Sequence, residues 1–97
     1  MKLITISGSP EATSQFARQL KDNVLVNRRN VLVSNDIHVL IHQRRSANPP
    51  QYAVADVSSL TPAQRETIWR HFPGAQYTVI DPSAGDNDIA YLARTSL

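Results

Sequence analysis

The chain contains no cysteine, and this absence excludes disulfide frameworks, thiolate metal sites and cysteine nucleophiles. It also has no apolar run approaching the roughly 18 residues that a membrane span needs, so no membrane partner is expected. The first residues carry one lysine and then a strand-like run, which is too short for a secretory signal and lacks a small-residue cleavage site. Together these absences predict a cytoplasmic domain.

Length and composition are those of a single globular domain over residues 1–97. Hydrophobic residues make up 41% of the chain and charged residues 19%, a balance that separates it from disordered segments. The formal net charge of +2 is small. The pairs Arg28–Arg29 and Arg44–Arg45 are the basic clusters, but no aromatic residues are interleaved with them for base stacking. The sequence therefore argues against a nucleic-acid partner.

The first part of the chain has the pattern of a buried strand that leads directly into a helix. The strand is predicted over Leu3–Ser7, a short and mostly apolar run that includes one threonine and ends in serine. Ser9 suits the N-cap of the helix, Pro10 its first position, and Glu11 the positive end of its dipole. Apolar residues spaced four apart then predict one buried helical stripe, formed by Ala12, Phe16, Leu20 and Val24.

Residues 34–45 fit two kinds of structure. After a short strand at Val31–Val33, capping residues at Ser34-Asn35-Asp36 and basic residues in a last turn, Arg44 and Arg45, favour a helix. The apolar residues of the same segment also alternate, as they do in a strand. The alternative to the helix is therefore a meander of three short strands, at residues 24–26, 31–33 and 37–41.

The second half of the chain repeats the alternation of strand and helix. A strand at Tyr52–Val57 precedes a capping box that begins at Thr61, and a strand at 76–81 precedes a helix over Asp86–Arg94. The third helix is predicted to bury Ile68, Trp69 and Phe72. The order βαβαβαβα predicts a small three-layer α/β/α domain with about four mostly parallel strands.

Polar residues follow the strands at positions where parallel α/β proteins bind ligands. The backbone N–H groups at the start of the first helix would attract an anion, and Gly8, Ser9, Thr13 and Ser14 are the predicted phosphate-binding residues. Asp36, Asp56 and Asp81 would form an acidic edge able to hold Mg²⁺ or a polar substrate. The competing interpretation is that these serines and aspartates are ordinary turn and cap residues. No catalytic residue and no complete metal site are predicted.

The segment Leu3–Leu20, LITISGSPEATSQFARQL, resembles the first strand, phosphate loop and helix of P-loop nucleotide kinases and ATPases. The later Ala53–Asp56 is similar to the strand ending in aspartate of a Walker B segment. In the motif GxxxxGK[ST], counted from Gly8, the second glycine, the lysine and the metal-binding hydroxyl would fall at positions 13, 14 and 15. Here those positions hold Thr13, Ser14 and Gln15. The resemblance therefore implies a degenerate domain that binds an ATP- or GTP-like nucleotide without hydrolysing it.

The same loop is also similar to that of NADPH-dependent FMN reductases and flavodoxin-like proteins. Gly8, Ser9, Pro10 and Ser14 match their Gly-Ser-Pro-x-x-x-Ser loop, which implies FMN as a cofactor. The loops after the third and fourth strands depart from that family.

Three functions follow as hypotheses: a non-catalytic nucleotide- or phosphate-binding remnant, a protein-interaction module that pairs with itself or with another protein, and a flavin-binding oxidoreductase-like fragment.

Overall fold

The computed structural model describes residues 1–23, 26 and 30–97. Its strands and helices alternate along the chain, which confirms the predicted βαβαβαβα order. Within the described residues, no helix has the length and apolar character needed to cross a bilayer. The elements are β1 (Lys2–Ser7), α1 (Pro10–Lys21), β2 (Val31–Val33), α2 (Ile37–Arg44), β3 (Tyr52–Asp56), α3 (Pro62–His71), β4 (Gln76–Val79) and α4 (Asp86–Thr95).

The four strands form one sheet in the order β2-β3-β1-β4, and every neighbouring pair is parallel. Ile4 of β1 lies between Val54 of β3 and Gln76 of β4. The first strand is thus central, while β2 and β4 form the two lateral edges. Because all strands run the same way, their carboxyl ends meet at a single rim, as predicted from the alternating pattern.

Helices cover both faces of the sheet and complete the predicted three layers. Side chains on a strand alternate between the faces, so Ile4 and Ile6 point to one side and Leu3 to the other. On the first side they pack with Phe16 of α1 and Ile89 of α4. The second side has its own core below α2 and α3, formed by Leu3, Leu40, Ala53, Ala55, Val57, Ile68 and Phe72.

The caps predicted from the sequence are all formed. The Ser9 hydroxyl accepts a hydrogen bond from the Ala12 N–H, and Thr61 and Gln64 form a reciprocal capping box. The Asp36 carboxylate accepts one from the His38 N–H at the start of α2. This cap settles the ambiguous segment, because residues 37–41 lie within α2 and the alternative meander is wrong there. Residues 24 and 25 of that alternative lie outside the described part of the chain.

Trp69 differs from the prediction. It was expected in the buried face of the third helix, but its side chain is 37% exposed. Its ring meets that of Tyr77 edge to face, with centroids 5.7 Å apart, at the side of the sheet where β4 is the last strand. Ile68 and Phe72 are buried as predicted. Val24, the last residue of the predicted stripe on α1, is outside the described residues.

Candidate functional site

The topology places a crevice at the rim between β1 and β3. These strands are neighbours, yet α1 follows β1 on one face and α3 follows β3 on the other. In parallel α/β folds the gap between two such connections is the usual position for a ligand. We call the gap between residues 7–9 and residues 56–58 the switch crevice. The predicted phosphate residue Gly8 and the predicted acidic residue Asp56 both lie beside it.

The chain's own side chains close the switch crevice. The Gly8 N–H, the donor best placed for a phosphate, donates instead to the Ser58 hydroxyl at 2.9 Å. The Ser58 N–H in turn donates to the Asp56 carboxylate at 2.9 Å. Ser58 therefore occupies with its hydroxyl oxygen the position that an anion's oxygen would take. This link between the two loops could not be read from the sequence, since Gly8 and Ser58 are far apart in the chain.

The remaining predicted phosphate residues do not converge on one point. Ser9 uses its hydroxyl to cap α1, accepting from the Ala12 N–H at 3.1 Å. Thr13 is buried, and its hydroxyl donates to the Ser9 carbonyl at 3.2 Å. Ser14 is exposed on α1. The structure thus keeps Gly8 and Ser9 at the rim but does not bring Thr13 and Ser14 into a shared cradle with them.

Gly8 has a packing role that accounts for its lack of a side chain. A Cβ atom at this position would lie 3.0 Å from the Ile80 carbonyl oxygen and 3.3 Å from the Ile80 Cβ. None of the residues that the structure describes has a positive φ, so left-handed backbone is not the reason for the glycine. The glycine instead permits the close approach between the start of α1 and the chain that leaves β4.

A depression of about 190 Å³ lies beside Gly8 and Ser9, between α1 and the loop after β4. Glu11 and Asp81 both line it. Two carboxylates at this position would repel a phosphate, while the lysine of an intact P-loop is absent. The electrostatics of the depression therefore do not favour a nucleotide.

Asp36, Asp56 and Asp81 each make the same local contact. Each carboxylate accepts a hydrogen bond from the backbone N–H two residues further along the chain, the pattern of an Asx turn. They follow three different strands, and no group of three or more metal-ligating side chains is found in residues 1–23, 26 and 30–97. The arrangement supports the interpretation as turn and cap residues over that of a cation site.

The pKa of the Asp81 carboxyl is also perturbed. The Ser83 hydroxyl donates to its carboxylate at 2.6 Å and the Ser83 N–H at 2.8 Å. These two hydrogen bonds stabilise the ionised form and hold the pKa of the Asp81 carboxyl below its ordinary value. The perturbation is thus explained by a turn and needs no ligand.

Arg65 is a basic residue next to the switch crevice that the sequence did not single out. Its Nη2 atom donates to the Ser58 carbonyl at 3.3 Å. Its Nε atom is buried and has no hydrogen-bond partner among the described residues. A buried donor without a partner is uncommon in proteins. The spacing of the apolar residues in α3 gives no signal that would have identified this arginine.

A wider depression, of about 400 Å³, separates the start of α2 from α3. Asn35, Asp36, Gln64 and Thr67 are its polar lining residues, and Asp36 and Gln64 already serve as helix caps. The apolar contacts come from Ile37, Leu60 and Ile68, so the depression has few polar groups that converge on a ligand.

The outer edge of β4 differs from these depressions, because its backbone groups face away from the sheet. The Ile80 N–H donates to the Ser7 carbonyl of β1 at 2.9 Å. Because alternate residues of a strand direct their backbone groups to the same side, Thr78 also faces β1. The backbone N–H and C=O groups of Tyr77 and Val79 consequently point away from the sheet.

The same two residues expose their side chains, Tyr77 by 48% and Val79 by 62%. Trp69 packs against Tyr77 from α3, and Tyr91 of α4 is 60% exposed and lines a depression beside Val79. We call these four residues the β4 edge surface. A large exposed apolar area next to unpaired strand groups is characteristic of an interaction site. The sequence predicted a strand at 76–81 but not that this strand is an edge.

Of the basic pair at the end of α2, Arg44 is engaged within the fold and Arg45 is exposed. Arg44 donates to the His71 carbonyl and lies over the Phe72 ring, 4.4 Å from its centroid. Arg28 and Arg29 lie outside the described residues. The expected absence of a nucleic-acid partner stays a prediction.

Comparison with known proteins supports the fold. No protein-family model matches the chain, and no curated protein matches it significantly. A de novo designed protein described as having the PFK fold, solved by solution NMR, is similar in structure with a TM-score of 0.56. The two sequences are 14% identical, and the match covers 96% of this chain and 83% of the designed one. It supports a small α/β class with a parallel sheet. The resemblances to P-loop and flavodoxin-like families stay predictions.

Proposed function

We propose that this chain is a protein-interaction module without a small-molecule ligand, and that it binds an extended segment of a partner along β4. The observation that carries the proposal is the coincidence, at Tyr77 and Val79, of outward-facing backbone groups with exposed apolar side chains. A partner strand would complete the hydrogen-bond ladder and cover the β4 edge surface at the same time.

The two edges of the sheet differ in how well they are protected. Soluble proteins blunt edge strands with charged side chains, proline, bulges or short length. The β2 edge has only three residues, Val31–Val33. The β4 edge, Gln76–Val79, has four residues, and neither strand carries a charged side chain. We favour β4 as the edge available for a partner because it is longer and exposes both Tyr77 and Val79.

A strand-addition assay tests this proposal. The probe is a designed eight-residue peptide of alternating threonine and valine, titrated into the isotope-labelled protein while backbone amide shifts are recorded. We expect the shifts to centre on Tyr77 and Val79, whose N–H groups would acquire new acceptors.

Two matched variants control the assay. Val79→Lys introduces a charge on the β4 edge, and Val33→Lys introduces the same charge on the β2 edge, where Val33 is 48% exposed. The peptide should lose its effect with Val79→Lys and keep it with Val33→Lys. Equal loss with both variants, or shifts that avoid β4, would contradict strand addition at this edge.

A second candidate function is weak anion binding at the switch crevice, in keeping with a phosphate-binding remnant. The specific observation in its favour is Arg65, whose buried Nε atom has no partner among the described residues. An incoming phosphate oxygen would have to displace the Ser58 hydroxyl from the Gly8 N–H. The cost of that displacement predicts binding only at millimolar concentrations.

Inorganic phosphate, ATP and FMN are the probes for this second candidate. Phosphate should shift the amides of residues 8–14, more strongly in Ser58→Ala, which frees the Gly8 N–H, and not in Arg65→Gln. A response that is the same in all three proteins would contradict the assignment. Flavin absorbance retained after purification would instead favour the FMN-binding hypothesis.

A further inference from the structure

We infer that the strand which binds β4 is the β4 strand of a second copy of this chain, paired antiparallel about a twofold axis at Thr78. This inference rests on the proposed strand addition at the β4 edge, and it names the partner and the register. Residues of β4 alone determine the register, because only Tyr77 and Val79 direct their backbone groups outward.

The twofold arrangement satisfies all the outward-facing groups of both strands. Tyr77 and Val79 are equally far from Thr78, so antiparallel pairing sets Tyr77 of one copy opposite Val79 of the other. Directly opposed residues of this kind exchange both of their N–H···O=C hydrogen bonds. The side chains of an opposed pair lie on one face, so the exposed tyrosine ring of each copy would cover the exposed valine of the other.

The charged side chains of α4 do not set the orientation of the pair. Asp88 and Tyr91 line the depression beside Val79, whereas Asp86 and Arg94 line depressions against α1. The orientation therefore follows from the backbone, because antiparallel pairing about a twofold axis lets Tyr77 and Val79 exchange both hydrogen bonds with the residues opposite them.

The dimer is also a closed assembly, because both copies use the same surface and none is left to bind a third copy. Two four-stranded sheets would join through β4, and the outer edges of the combined sheet would be the two short β2 strands. A heterologous contact between β4 and β2 would leave a free edge at each end and would propagate into a fibre. The twofold arrangement thus removes the exposed edge without starting open-ended assembly.

Sedimentation equilibrium at several concentrations tests the inference on the full chain. We expect the unmodified protein to move from monomer to dimer as its concentration rises, with no larger species. Val79→Lys should remain monomeric over the same range, and Val33→Lys should dimerise like the unmodified chain. Equal dimerisation of Val79→Lys would overturn the assignment of the interface.

A chain that stays monomeric at every concentration would overturn self-pairing. That result leaves strand addition as such to be decided by the threonine–valine peptide, which reports on the edge of a monomer. Peptide shifts at Tyr77 and Val79 in a protein that stays monomeric would separate the two proposals. Self-pairing would then be wrong, and strand addition at the β4 edge would be supported. Absence of both dimerisation and shifts would overturn both.

Discussion

The carboxyl rim and the lateral edge of β4 are both positions where parallel α/β domains bind partners, and in this chain they differ in how their backbone groups are satisfied. At the rim, Gly8 donates to Ser58, Ala12 donates to Ser9, and the aspartates accept from their own turns. At the edge, Tyr77 and Val79 direct their backbone groups to solvent. The groups at the rim are satisfied within the fold. At the β4 edge, the outward-facing backbone groups have no hydrogen-bond partner among the described residues and lie next to exposed apolar side chains.

This contrast shows that the residues of a binding motif do not by themselves form a binding site. Gly8-Ser9-Pro10 has the residues of a phosphate loop, but each of its groups that was expected to bind has an internal role. Conversely, the edge residues have no motif at all. Because a buried or paired donor gains little from a new ligand, the free energy available for binding is greater at the edge.

Of the substitutions that test the difference between the rim and the β4 edge, the one at Gly8 should have the largest effect on stability. Gly8→Val should lower the free energy of unfolding by about 1–3 kcal/mol, since the new side chain would press on the Ile80 backbone. Gly74→Val is the control, because a Cβ there would meet nothing within 4 Å. Urea unfolding of both variants measures the difference. Equal stability would show that the start of α1 can move away from β4.

A smaller loss is expected when the bridge across the switch crevice is removed. Ser58→Ala should reduce the free energy of unfolding by about 0.5–1.5 kcal/mol, the usual net contribution of one hydrogen bond. The exposed Gly8 N–H can then bind water, which places the expected value near the lower limit. Ser59→Ala, at the adjacent exposed residue, should change stability less. The reverse order would argue that Ser58 does not hold the two loops together.

At the β4 edge the effect on stability should be smaller still. Val79→Lys should change the free energy of unfolding of the monomer by no more than about 0.5 kcal/mol, because the valine is largely exposed. Thermal unfolding at a concentration where the chain is monomeric measures it. A loss comparable to that of Gly8→Val would mean that the edge, like the rim, belongs to the structure of the single chain.

The smallest effect concerns the turn after β4. Ser83→Ala removes the hydroxyl that donates to Asp81, so the pKa of the Asp81 carboxyl should rise toward its ordinary value. A lowered pKa in the folded state stabilises the fold above the ordinary pKa of aspartate, and this contribution disappears as the pH falls through the folded-state value. Carboxyl chemical shifts recorded against pH, in both proteins, give the comparison. An unchanged midpoint would assign the perturbation to another group.

Most of the fold could be predicted from the sequence because its local signals agree with one another. Ser9, Asp36 and Thr61 mark the starts of three helices, and each forms the expected cap. Strands alternating with helices restrict the sheet to parallel pairing with crossovers. The order of the strands was not predictable, since no local pattern states whether β2 or β3 lies beside β1.

The candidate sites depend on the order of the strands, which explains why they were predicted poorly. Ser58 reaches Gly8 only because β3 is the neighbour of β1. Tyr77 is exposed only because β4 is the last strand, and Trp69 is exposed with it. Apolar residues in a strand are expected to be buried until the position of that strand in the sheet is known.

The position of β1 also has a consequence for how the chain folds. This strand pairs with β3 and β4, whose residues lie about fifty and about seventy positions further along the chain, so its contacts are far from local. No hairpin can form early to nucleate the sheet, since the pairing of β1 has to wait until two crossovers have been made. Refolding should accordingly be slow for a protein of this size, with α1 and the other helices forming well before the hydrogen bonds of the sheet.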